Sequence, residues 1–224
     1  MSNIVIRNGP IALIAILTVV SLSTASFGKH GKPVDDTVDS FDFYLLTLSW
    51  APEFCATHSR RGLSSECDQR RHYGFIVHGL WPENNNGSYP EKCAPAQPVA
   101  QATVQQMLSI MPDRALIQHE WASHGTCSGL ATTDYFTAIR TVFGQVHIPQ
   151  EFRSPSSEST TAPADVEKRF AAANETSPDA FRVVCSQGEL VAVEACVTKE
   201  LHLRKCGSAV RDCRAAEITV TPVP

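Results

Sequence analysis

The sequence predicts an α+β fold in which a central, mainly antiparallel sheet packs against several helices and is stapled by disulfides. Three observations carry this expectation. Apolar runs of strand length open and close the body of the chain: FDFYLLTLSW at Phe41–Trp50, then FRVVCS, ELVAVEACV, LHLRKC and EITVTPV from Phe181 onward. Between them, apolar residues recur at helical spacing. Eight cysteines follow an apolar leader, and an even number in an exported chain implies disulfides. The short, hairpin-like intervals between the C-terminal runs favour antiparallel pairing.

Residues 1–25 read as a secretory signal peptide. MSNIVIRNGP carries one arginine and no acid, Ile11–Leu22 is apolar, and Ser23-Thr24-Ala25 offers a cleavage point. A run of 12 residues is short of the ~20 that span a bilayer, so no stable membrane association is expected after cleavage. Residues 26–40 form a polar, flexible lead-in, and 41–224 a single domain large enough to bury a substantial core.

Within that domain, Phe41–Trp50 suits a strand buried on both faces and bounded by Pro52. Cys55–Arg71 is charged and reads as loop. Tyr73–Leu80 reads as a second central strand, with Gly74 and Gly79 permitting close approach and Pro82 ending it. Glu83–Pro98 is loop. Val104, Met107, Leu108 and Met111 stand at i, i+3, i+4 and i+7, a helix stopped by Pro112. Leu116–His124 is helical, with Gly125 placed to end it. Thr132 or Thr133 caps a further helix whose apolar face is Tyr135, Phe136, Ile139, Val142 and Phe143. Arg153–Pro163 is a flexible polar connection, and Asp165–Asn174 a short helix with Val166 and Phe170 inward.

The formal net charge is −4; losing the leader, whose only charged side chain is Arg7, makes it one more negative. No basic tail is present, so a nucleic-acid partner would be drawn by a local site rather than by the field of the whole molecule. Eight cysteines admit about a hundred pairings, and spacing does not choose among them. The expected set is Cys55–Cys67, Cys93–Cys127, Cys185–Cys213 and Cys196–Cys206. No CxxC occurs to suggest a metal instead.

Chemistry is concentrated in two stretches, FIVHGLWP at Phe75–Pro82 and HEWASHGTC at His119–Cys127. The second begins like a zinc-binding HExxH, but its histidines are five apart, about 140° around a helix rather than the ~40° of an i, i+4 pair. No metal ligand set is therefore expected, nor is there a G-x-S-x-G elbow. What remains is three histidines, His78, His119 and His124, and Glu120, in two segments rich in glycine and tryptophan. Imidazoles can hold one protonated and one neutral member at once, the requirement for taking a proton from one oxygen while giving one to another. RNA cleavage through the 2′-OH needs this.

HGLWP and HEWASHGTC, in this order, resemble the two active-site segments of the ribonuclease T2 family, and the resemblance covers most of the chain from about Phe41. It implies a secreted or periplasmic, disulfide-bonded endoribonuclease without cofactor or metal, acting on single-stranded RNA as a monomer. By the family's roles, His124 would be general base and His78 general acid, an assignment that could be reversed. His119 would bind phosphate. Glu120 would steady the phosphorane or hold a histidine cationic. Trp81 and Tyr89 could stack on bases, and Glu83 could accept from an exocyclic amine. One position departs from the pattern: where the family usually has lysine, this chain has Ser123, which offers only a hydroxyl to substrate. Activity is then expected to be reduced, or another cation to substitute, with Arg60, Arg61, Arg70 and Arg71 as candidates. The alternative is a secreted RNA-binding protein on the same fold with weakened or lost catalysis.

Overall fold

Strand β1 (Phe43–Trp50) lies between two partners in a six-stranded sheet. The computed structural model describes residues 38–58 and 64–224; the expected leader, residues 26–37 of the lead-in, Arg60 and Arg61 lie outside the described residues. The other strands are β2 (Phe75–Glu83), β3 (Ser159–Thr161), β4 (Phe181–Ser186), β5 (Glu189–Val197) and β6 (Ile218–Val220). The order is β2-β1-β5-β6-β3, with β4 also on β5. All pairings are antiparallel except β5 with β6, parallel at Glu189–Thr219. Helices α1 (Ala51–His58), α2 (Gln101–Met107), α3 (Arg114–Ser123), α4 (Thr132–Gln145) and α5 (Pro163–Ala173) complete an α+β architecture. No helix among the described residues is long and apolar enough to cross a membrane.

The largely apolar sequence of β1 is explained by burial on both faces. Tyr44, Leu46, Leu48 and Trp50 enter the main core with Ile117, Tyr135, Ile139 and Phe170, while Phe43 and Leu45 join Cys196 in a smaller cluster. Each fully buried leucine or phenylalanine contributes roughly 1.5–3 kcal/mol. Four disulfides, Cys55–Cys67, Cys93–Cys127, Cys185–Cys213 and Cys196–Cys206, hold the periphery.

Several local expectations are corrected. The first part of the Cys55–Arg71 loop belongs to α1, because Pro52 lies in the first helical turn, where its missing N–H is no loss. Pro82 does not end β2, which continues to Glu83; β2 is an edge strand, and proline is tolerated there. The cap of α4 is Ala131, with no side-chain cap bond from a threonine. Pro163 opens α5 rather than closing a connection, and the supposedly irregular 153–163 contributes β3, paired with β6. LHLRKC alternates like a strand, yet only Leu203 bridges to Val197. The backbone of Cys206 turns away to bond Asp179, so no ladder extends through the segment.

One irregularity of the sheet falls on a histidine. Thr47 pairs with Gly79, but the next residue of β1, Leu48, pairs with Val77. His78 is the extra residue of a β-bulge, a device that re-aims a side chain.

Candidate active site

The bulge leaves His78 half-exposed, with a polar group near each ring nitrogen. Nδ1 is 3.0 Å from the Ser49 hydroxyl on β1, and Nε2 is 3.4 Å from Oε1 of Glu120. Glu120 reaches β2 from α3. That helix starts where the Asp113 carboxylate accepts from the backbone N–H groups of Ala115 and Leu116, and it sinks Ile117 and Trp121 into the core. Anchored so, α3 turns Glu120 toward the sheet edge, where it is 1% exposed.

The carboxyl seat exists because residue 79 is glycine. A Cβ there would lie 2.0 Å from Glu120 Oε2 and 2.4 Å from Trp81 Nε1. The close approach expected at Gly79 is thus made by a side chain. Trp81 binds the arrangement together: Nε1 donates to Glu120 Oε2 at 2.7 Å, the ring stacks on His124 at 5.1 Å, and it meets His78 edge-on at 5.6 Å. His124 closes α3, followed by a 3-10 turn, Gly125–Cys127. Gly125 is needed there for space rather than for a left-handed backbone, since a Cβ would meet the Trp121 ring at 2.3 Å. His119 is exposed and lines, with His78, Ser49, Tyr73 and Arg70, a wide groove running from the site.

Burial sets the protonation states. It pushes the Glu120 carboxyl up to about 8, against the Trp81 hydrogen bond. It pushes His124 down to about 4, assisted by the charges of His119, His78 and Lys92 and opposed by Glu91. His78 is lowered by burial and then by His119. In the free site, Glu120 therefore carries a proton beside a neutral His78, and His124 is neutral across the mildly acidic range. An acceptor and a proton-bearing pair both border one indole ring.

The remaining predicted residues are placed differently. Glu83 ends β2, and burial, then the Glu194 charge, raise its carboxyl to about 8, so near neutrality it both donates and accepts. Tyr89 is 51% exposed in the following loop. Ser123 is buried at 1% exposure, and its carbonyl accepts the Lys92 N–H at 2.8 Å. Arg70 is neutralised by Asp68 through two bonds of 2.9 Å. Sequence reasoning missed Ser49, which shows its role only through strand pairing, and the Glu91–Lys92 pair (3.0 Å), which the Cys93–Cys127 bridge holds beside this wall.

The same shifts tie stability to pH. Glu120 and Glu83, ordinarily near 4.5, hold protons in the folded state up to about 8, so from 4.5 to 8 their contribution falls as pH rises. His124, lowered from 6.5 to about 4, contributes in the opposite sense, but only below 6.5. Between 6.5 and 8 the carboxyls act alone, with Glu167 and Glu194, raised to about 7, adding to them at the lower end. The thermal unfolding midpoint is expected to drop from pH 6.5 to 8.5; a midpoint that is flat or rising over this interval would contradict the assigned burial.

Against known proteins, the profile of the Ribonuclease T2 family matches residues 41–206. A ribonuclease of Aeromonas hydrophila is 41% identical over 120 residues, 54% of this chain and 53% of that protein. Ribonuclease DdI of Dictyostelium discoideum is 31% identical over 215 residues, 87% of this chain and 90% of its own length. The chain thus spans about half of the bacterial relative and most of the amoebal one. Among solved structures, a mutant of ribonuclease MC1, from bitter gourd seeds, in complex with 5′-UMP superposes with a TM-score of 0.64 at 20% identity, covering 80% of this chain and 97% of that one.

Proposed function

Because the chain belongs to the ribonuclease T2 family, we propose that it is an exported, monomeric, single-domain endoribonuclease that cleaves single-stranded RNA without a metal, through a 2′,3′-cyclic phosphate. The observation that carries this reading is the convergence of His78, Glu120 and His124 on Trp81.

His124, neutral above about pH 4, takes the 2′-OH proton as that oxygen attacks phosphorus. The bond to the 5′-oxygen breaks, and this oxygen takes a proton from His78. The His78–Glu120 pair stores that proton: an anionic phosphodiester beside His78 favours moving it from carboxyl to imidazole, and the carboxylate left behind stabilises the imidazolium. In the second step, water loses a proton to His78, the cyclic ester opens, and the released 2′-oxygen is protonated by His124, giving a 3′-phosphate. His119 at the groove contacts phosphate. Lys92, whose charge bears on His124 and whose backbone is bonded to Ser123, brings a cation to this wall, shared with Glu91 at 3.0 Å. With one face of Trp81 on His124, base contacts come from its outer face, Tyr89 and the neutral Glu83. The 5′-UMP complex of ribonuclease MC1 supports nucleotide binding on this fold.

The test is incubation of the oxidised protein with single-stranded RNA and EDTA between pH 4 and 8. Cyclic-phosphate ends are the expected product. Loss of cleavage with chelator would point to a metal mechanism; RNA binding without cleavage at any pH would make the protein a binding module.

A further inference from the structure

Two buried oxygens beside the site have no hydrogen-bond partner among the described residues: the Thr47 hydroxyl and Oε1 of Glu120. Thr47 is 4% exposed and Glu120 1%, so bulk water does not complete them. Buried polar atoms without partners are rare, and each calls for a physical reason.

They belong to side chains that meet across the β1–β2 ladder. Thr47 on β1 is directly opposite Gly79 on β2, the last pair before the bulge. Opposed residues of antiparallel strands project to the same face with Cβ positions roughly 4.5–5.5 Å apart. Gly79 has no Cβ, and Glu120 fills the space: Oε2 lies 2.0 Å and Cδ 2.8 Å from where that Cβ would be. The Glu120 carboxyl therefore occupies the side-chain position opposite Thr47. Its Oε2 is committed to Trp81, leaving Oε1 with only the longer approach of His78. On the other side of β1, Thr47 pairs with Glu194 of β5, so a third polar group stands in the same row.

From this geometry we propose that Thr47 is a positioning residue for Glu120: when the carboxyl gives its proton to His78, the Thr47 hydroxyl becomes the donor to Oε1, through one enclosed water. The proposal rests on the reading of Glu120 as the proton partner of His78. A water at this point has the Thr47 hydroxyl and Glu120 Oε1 as polar neighbours, and roughly two to four such neighbours hold an enclosed water. With donors on both oxygens, the carboxylate can form during turnover without leaving its seat; with Trp81 and the 3.4 Å approach of His78 alone, Oε1 would ionise without a close donor. The titratable groups around Glu120 are His78 on β2, Tyr135 on α4, and His119 and His124 on α3 and its end; Glu194 on β5 is the cross-strand partner of Thr47.

The experiment uses Thr47→Val, which keeps the β-branched shape and removes the hydroxyl, and Thr47→Ser, which keeps the hydroxyl. The Glu120 carboxyl is titrated by carbon NMR in the free protein, and kcat and KM on single-stranded RNA are followed against pH. In Thr47→Val, the Glu120 midpoint is expected to move upward and kcat to fall about 3- to 10-fold with KM within about twofold; Thr47→Ser is expected to match the parent in both. A valine variant whose titration and pH–rate profile superpose on the parent's would overturn the proposal, as would a serine variant as impaired as valine. If the parent protein fails to cleave RNA, the ribonuclease reading fails, while the Glu120 titration still decides the role of Thr47.

Discussion

His124→Ala is expected to lower kcat on RNA by about 10²–10⁴-fold while changing KM little. His124 is the one group of the cluster that burial holds neutral down to about pH 4, and only a neutral imidazole can take the 2′-OH proton. Its loss should also remove the acidic limb of the pH–rate profile, because that limb reports the base becoming free. His78→Ala is expected to cost a similar factor on RNA for the opposite reason, since the 5′-oxygen then leaves unprotonated. A nucleoside 3′-phosphodiester with a nitrophenyl leaving group separates the two roles. That group departs without an acid, so His78→Ala should recover most of its rate on it and His124→Ala should not. The reverse pattern would exchange the two assignments, and near-parental turnover of either variant on RNA would remove the acid–base pair altogether.

Gly79→Ala is expected to be the most damaging glycine-to-alanine change among the described residues. The new Cβ would lie 2.0 Å from Glu120 Oε2, 2.8 Å from its Cδ and 2.4 Å from Trp81 Nε1. No flexible end can swing aside into water, because Glu120 is 1% exposed and its partner Trp81 is stacked on His124. Overpacking of this kind typically costs about 1–3 kcal/mol, and here it also expels the carboxyl that serves His78, so kcat should fall by about 10²-fold or more. Gly74→Ala is the matched control. Its nearest neighbours would be at 3.2 Å (Arg153 carbonyl) and 3.3 Å (Trp50 ring), a contact that small adjustments absorb. Urea unfolding and turnover measured on both variants should show loss of both properties at 79 and near-parental turnover at 74. Equal effects at the two positions would mean that Glu120 does not depend on the glycine seat.

The contrast between these glycines shows where sequence reasoning reaches and where it stops. HGLWP and HEWASHGTC can be recognised because chemistry forces unusual residue types into short segments, and β1 because a strand buried on both faces is mostly apolar on both. Gly79 can be read as a point of close approach, but not what approaches it, since Glu120 comes from a helix some forty residues away. Ser49 and Thr47 look like ordinary polar alternation in a strand; their roles exist only in the register of β1 against β2. Pro52 and Pro82 mislead for a common reason. A proline reads as a stop, whereas its missing N–H is harmless in a first helical turn and on an edge strand. The stacking expected of Trp81 toward a base is half-used within the protein, because His124 covers one face. Protonation states are the least legible property, being set by a burial that no local segment announces.

The bulge in β2 separates chemistry from architecture. Since Thr47 pairs with Gly79 and Leu48 with Val77, excising His78 would leave two continuous strands already in register, with every core side chain on its present face. The proposed acid is thus an insertion, one residue more than the sheet requires. A lineage on this scaffold could shed its chemistry by a single codon deletion and keep its shape, whereas an insertion or deletion elsewhere in the strand would turn the core inside out.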